Sequence, residues 1–129
     1  MEMSRLSGLE ISYIEENRLE VSREFAEEYG ATVILKGHHT IVTSSDAVQY
    51  INNTGNPGLA GGGSGDVLAG IVSAFAARGI PLGEAAAMAV YIHGLAGDIA
   101  AERYGMESTT AQKILDMLPE AIFRNLQID

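Results

Sequence analysis

Between Gly61 and Gly70 the chain reads GGGSGDVLAG, a cluster of glycines running straight into an apolar stretch of helical character. The first amides of a helix have no partners within the helix and point outward together. The helix dipole adds partial positive charge at the same end. With no Cβ at Gly61, Gly62, Gly63 or Gly65, an anion such as a phosphate can approach the main chain closely. The glycine spacing does not fit the dinucleotide fingerprint, and no Gly-Lys-Ser/Thr closes the loop as a Walker sequence requires. Asp66 stands at the mouth of this loop, where a carboxylate is stabilised by the dipole yet faces the anion it would work beside, which suits proton transfer. The plainer reading makes Asp66 an ordinary first-turn acidic residue, worth a few tenths to about 1 kcal/mol. Residue types alone leave both open.

The elements that must hold this loop follow from the flanking patterns. Residues 52–65, NNTGNPGLAGGGSG, contain six glycines and a proline, too many to propagate a helix or strand. Before them, a short helix is expected over 2–8. A longer one opens with the Asn17 and Glu20 capping pattern and runs to Tyr29, where Gly30 supplies a left-handed stop. ATVILK at 31–36 reads as a strand buried on both faces by covering helices, followed by strands over 39–43 and 47–51. After the loop, Asp66 to Arg78 is apolar almost all round, which predicts a helix buried in the middle of the molecule and ended by Gly79. Pro81 opens a long helix to about Tyr104, in which Ala85, Ala86, Ala87 and Ala89 permit close packing. A last helix over 110–126 should be interrupted near Pro119. The 129 residues fit one α/β domain, and 47% hydrophobic residues suffice for a core.

Eight basic residues against seventeen acidic ones leave a formal charge of −9, which argues against a general nucleic-acid surface; any phosphate must be held locally. There is no cysteine for disulfides, thiolate metal sites or nucleophilic catalysis. No apolar run approaches the length of a membrane span, and the N-terminus lacks a signal-peptide pattern, so a soluble cytoplasmic protein is expected. His38 and His39 are spaced wrongly for a zinc helix motif and no protein-held metal is expected.

NNTGNPGLAGGGSGDVLAG resembles the signature of the NAD(P)H-hydrate dehydratases, members of the ribokinase-like superfamily whose nucleotide-dependent reaction repairs hydrated nicotinamide cofactors. EMSRL at 2–6, LKGHHT at 35–40, HGLAGD at 93–98 and LPEAI at 118–122 fall in the order of that family, so the resemblance covers nearly the whole chain. GSGD alone would indicate only the superfamily, shared with sugar and vitamin-precursor kinases; TGNPGLA points to the dehydratase branch.

The resemblance implies a three-layer αβα sandwich, with this chain as the C-terminal half of a domain about twice as long. It implies that Lys36, Gly37, His38, His39 and Thr40 contact ADP or ATP, with Lys36 meeting phosphate charge rather than serving as a solvated strand-end lysine. Asn56, Pro57, Gly58, Leu59, Ala60, Gly61, Gly62, Gly63, Ser64 and Gly65 would wrap the nucleotide, and Asp66 would contact hydrated NAD(P)H and take its hydroxyl proton. Mg2+ would arrive with the phosphates. His93, Gly94 and Asp98 also match a family segment, but their place inside a helix favours a structural role. The missing half implies a homo-oligomer or a partner chain supplying the rest, since an open sheet edge recruits strands. Two alternatives stand beside this reading: a small-molecule kinase that stops at the phosphoester, and a noncatalytic nucleotide-binding module.

Overall fold

The computed structural model describes residues 1–125. Three short helices come first, α1 (Glu2–Ser7), α2 (Ile11–Glu16) and α3 (Arg18–Tyr29), followed by strands β1 (Val33–Leu35), β2 (Ile41–Thr43) and β3 (Gln49–Ile51). The strands form an antiparallel sheet in the order β1-β2-β3, with Ile34 opposite Val42 and Val42 opposite Tyr50. After the glycine-rich segment, with its single 3-10 turn at Pro57–Ala60, come α4 (Ser64–Ala77), α5 (Leu82–Tyr104) and α6 (Ala111–Asn125).

Alternation along the strands sorts their side chains onto two faces. Val33, Leu35 and Ile41 pack with Met3, Ile14, Val21 and Ala26 on the side of α1 to α3. Val42, with the half-buried Ile34 against it, packs with Leu68, Ile71, Ala86, Ala89 and Val90 on the side of α4 and α5. The sheet therefore lies between two helical layers, the αβα arrangement expected from the sequence. On the α3 face two hydroxyls are buried together: that of Thr43 donates to Ser22 Oγ at 3.0 Å, and Gln49 Nε2 donates to both oxygens. Behind α5, Ile92, Ala96, Ile99 and Ala100 meet Ile114, Met117 and Ala121 of α6. Alanines along α5 let α4 and α6 approach its backbone closely.

Several details depart from expectation. The strands are shorter than the runs 31–36, 39–43 and 47–51; β2 and β3 start late because His39 (φ 55°) and Ala47 (φ 67°) take left-handed turn conformations that no strand can continue. The capping pattern at Asn17 does not form: Asn17 Nδ2 donates to Tyr13 O of α2 at 2.9 Å, closing the helix before it rather than opening the one after. That preceding helix, only six residues long, carries no boundary signal of its own. Helix α4 is not buried in the middle. Only Ser64, Leu68 and Ile71 are buried along it, and Ala69, Gly70, Ser73, Ala74 and Ala77 are exposed, since the sheet and α5 cover a single side. Helix α6 runs unbroken through Pro119, whose lost hydrogen bond is outweighed by the burial of Met117 and Ala121 on either side. Its expected end at Leu126 lies outside the described residues. No described helix is long and apolar enough to cross a membrane.

Candidate functional site

The turn between β1 and β2, the glycine-rich segment, the first turn of α4 and the middle of α5 enclose a cavity of about 710 Å³. Of the residues singled out in the sequence, Lys36, Gly37, His38, His39 and Thr40 all line it, as do Asn56, Pro57, Leu59, Ala60, Gly61, Ser64 and Gly65. Gly58, Gly62, Gly63 and Asp66 are not part of its wall, and Asp66 is exposed to solvent.

The glycine-rich segment keeps its shape because α5 grips it. Asp98 accepts the Gly55 N–H on one oxygen at 2.9 Å and the Asn56 Nδ2 donor on the other at 2.8 Å. Asn56 turns its own Oδ1 to the Gly58 N–H, at 2.9 Å, which sets the 3-10 turn. Close approach to α5 requires two glycines: a Cβ at Gly94 would fall 2.1 Å from Thr54 Oγ1, and one at Gly97 would fall 2.5 Å from Leu59 Cδ2. Thr54 Oγ1 in turn donates to the Tyr91 carbonyl oxygen at 2.9 Å. Residues 94, 97 and 98 share one face of the helix at spacings of three and four. The structural reading of Asp98 holds, whereas His93 and Gly94 both brace the segment and line the cavity. Asn52, Asn53, Thr54, Gly55, Leu68 and Val90 also line it without having been singled out; the first four belong to the same motif, but the last two are apolar and indistinguishable in sequence from core.

His93 secures the start of α4. Its Nε2 lies 3.0 Å from the Ser64 carbonyl oxygen and 3.1 Å from Ser64 Oγ. A carbonyl can only accept, so Nε2 carries the proton. Burial pushes the ring's pKa below its ordinary value; the bond to the Ser64 carbonyl opposes this and the charge of Lys36 adds to it. The ring is therefore neutral at pH 7.

At the helix start the amide inventory differs from the simple picture of a fully open N-terminus. Ser64 N–H is spent on Gly61 O at 3.3 Å, and the Asp66 and Val67 N–H groups both reach Gly63 O, at 3.1 and 3.2 Å. The amides of Gly62, Gly63 and Gly65 find no acceptor among the described residues. Beside them lies Lys36, whose Nζ is 3.5 Å from the position a Cβ on Gly65 would occupy. Its ammonium makes no ion pair among the described residues, where the only such bridges join Glu120 to Arg103 and Arg124. A lysine at the positive end of a helix is repelled by it, an arrangement that becomes favourable once an anion sits between the two. Glu2, fully exposed, has its carboxyl held below the usual range first by its own backbone N–H and then by Lys36.

For a divalent cation the wall offers little. No group of three or more His, Asp or Glu is placed to hold a metal among the described residues, and both oxygens of Asp98 are occupied by the loop.

Fold and site together define an α/β chain whose glycine-lined cavity ends at the Gly65 amide and Lys36, neither of them paired among the described residues. The sequence profile of the NAD(P)H-hydrate dehydratase family matches residues 1–120, and the chain belongs to that family. The bifunctional NAD(P)H-hydrate repair enzyme of Moorella thermoacetica is 46% identical over 126 residues, which is 98% of this chain and 24% of that protein. The ADP-dependent (S)-NAD(P)H-hydrate dehydratase of Neisseria meningitidis is 43% identical over 105 residues, 81% of this chain and 36% of its own. A crystal structure of the Bacillus subtilis ADP/ATP-dependent NAD(P)H-hydrate dehydratase, co-crystallized with ATP/Mg2+, superimposes with a TM-score of 0.91 at 28% identity, covering 95% of this chain and 44% of that one. The chain thus spans from about a quarter to under half of the length of these relatives.

Proposed function

We propose that the cavity seats ADP or ATP and that the chain takes part in the nucleotide-dependent dehydration of hydrated NADH or NADPH. The observation that carries this reading is the approach of Lys36 Nζ to the helix start at Gly65, whose amide has no acceptor among the described residues, in the wall of a cavity large enough for a nucleotide. The terminal phosphate would lie between them, with the rest of the nucleotide along Lys36–Thr40 and Asn56–Gly65. Phosphoryl transfer depends mainly on positioning and on donors aimed at developing charge. Lys36 and the amides of Gly63 and Gly65 would supply these; the Ser64 amide, engaged with Gly61, would not.

Asp66, exposed beside the same helix start, would accept the proton of the hydroxyl on the hydrated ring as that oxygen takes the terminal phosphoryl group. The phosphate then leaves by elimination, its C–O bond electrons departing with it while the neighbouring ring carbon gives up a proton to solvent and leaves its C–H electrons as the restored double bond of NADH or NADPH, with AMP or ADP as the other product. Magnesium would arrive on the nucleotide's phosphates, which supply charged oxygen ligands in place of a carboxylate cluster, none being found among the described residues. The chain would act in the cytoplasm.

A second reading, nucleotide binding without turnover by this chain alone, is favoured by two features: Asp66 lies outside the cavity wall, and one side of α4 is uncovered. The kinase alternative is not favoured by the named relatives. The two remaining readings separate in an assay of hydrated NADH with ADP or ATP, followed by the return of reduced-nicotinamide absorbance. Asp66→Asn should lower the rate by roughly 10²- to 10⁴-fold and leave nucleotide affinity nearly unchanged, the size expected for a lost general base. Normal turnover in that variant would remove Asp66 from the chemistry, and nucleotide binding with no turnover in the parent chain would favour the binding module.

A further inference from the structure

The turn carrying Lys36 is held from behind by one side chain that none of the sequence motifs includes. Arg18, the first residue of α3, sends Nη2 to the Leu35 carbonyl oxygen at 3.0 Å and Nη1 to the His38 carbonyl oxygen at 2.7 Å, with the His39 oxygen 3.4 Å from Nη1. These three carbonyls bracket Lys36 and Gly37. No carboxylate competes for the guanidinium among the salt bridges of the described residues. Gly37 is small for the same reason, since a Cβ there would fall 2.8 Å from Arg18 Nη2 and 3.1 Å from Cζ. Inside the turn little else restrains the backbone: Thr40 Oγ1 lies 3.4 Å from Gly37 N and 3.2 Å from Gly37 O, and His39 holds a left-handed φ of 55°. A short turn with one non-glycine residue at positive φ and weak internal bonds needs an outside clamp to keep one conformation.

We infer that Arg18 is a positioning residue for the nucleotide site: by clamping the carbonyls of Leu35 and His38 it fixes the turn so that Lys36 Nζ stands over the start of α4 at Gly65. Its planar fork suits this task, because two separate nitrogens serve carbonyls on either side of Gly37 at once, which a lysine ammonium on its single stem cannot reproduce. The inference rests on the nucleotide reading of the cavity and adds a residue from the opposite helical layer to it.

The test compares the parent 129-residue chain with Arg18→Ala, Arg18→Lys and Lys36→Ala, by backbone NMR relaxation without nucleotide and by ADP titration. Arg18→Ala should lower the order parameters at 37–40 from about 0.85 to below about 0.6 while those of α5 and α6 keep their values, and should weaken ADP binding by about tenfold, the loss expected for hydrogen bonds from a charged donor. Arg18→Lys should recover part of both. Lys36→Ala should weaken ADP binding without altering the order parameters at 37–40. Unchanged order parameters at 37–40 in Arg18→Ala overturn the clamp whatever the nucleotide does, and lowered order parameters with parental ADP affinity overturn its role in the site. If the parent chain binds no ADP, the nucleotide reading itself fails, and the positioning role fails with it even where relaxation shows the clamp to be real.

Discussion

At Gly65 the absence of a side chain serves the ligand rather than the fold. The one atom near a Cβ built there is Lys36 Nζ, at 3.5 Å, so a substitution would meet no core and would fill the gap between the lysine and the helix start. Gly65→Val should therefore leave thermal stability nearly unchanged and weaken nucleotide binding by at least about tenfold, as read by calorimetric titration. Parental affinity would place the phosphate elsewhere. His93 works by staying uncharged. Its pKa is depressed in the folded chain, so the unfolded chain takes up a proton that the folded one does not as pH falls below the ordinary value of 6.5. That contribution to stability is full above about 6.5 and declines below it. The melting temperature should fall more steeply as pH drops below about 6.5 in the parent than in His93→Gln, which keeps a donor for Ser64 O without titrating. Matching slopes would contradict this account. That Lys36, Gly61 and Gly65 would come together around one cavity was legible in sequence because each belongs to a local pattern; Arg18 was not, because its partners lie 17 to 21 residues away.

Helix α5 is the element on which the site is assembled. It presents His93 to the start of α4, Asp98 to Gly55 and Asn56, and bare backbone at Gly94 and Gly97 to Thr54 and Leu59. Its alanine-rich composition announced close packing. That it would seat a loop as well as neighbouring helices was not visible, since glycines inside a helix cost stability whatever approaches them. Gly94→Ala should cost about 1–3 kcal/mol, because the added methyl meets Thr54 Oγ1 and the Thr54 backbone rather than a flexible side-chain end. Chemical denaturation would measure this. A stabilised protein, which helix propensity alone predicts for alanine over glycine, would show that the loop yields freely. Strand ends and α2 escaped sequence reading for another reason: His39 and Ala47 take positive φ without being glycine, and a six-residue helix has too few turns to show a period.

At the scale of the molecule, the two layers of helices cover the sheet's faces, yet one side of α4 and the outer part of β3 stay open. Ala69, Gly70, Ser73, Ala74 and Ala77 are exposed along α4, and Ile51 of β3 is 61% exposed. An apolar helix half uncovered is unusual in an isolated chain, and the solved relatives are about twice as long. We propose that a second copy of the chain covers these surfaces. Light scattering on the chain alone should therefore report a species larger than 13.7 kDa. Ser73→Arg, which sets a charged side chain in the middle of the open face of α4, should shift that species toward the monomer. A monodisperse monomer of the parent chain at high concentration would contradict self-association.

Every role assigned to the cavity depends on where an anion sits in it. A structure of the chain grown with ADP measures this directly. The account predicts the terminal phosphate within hydrogen-bonding distance of both the Gly65 amide and Lys36 Nζ. Nucleotide bound with its phosphates away from that pair, or a cavity left empty at saturating ADP, would contradict it.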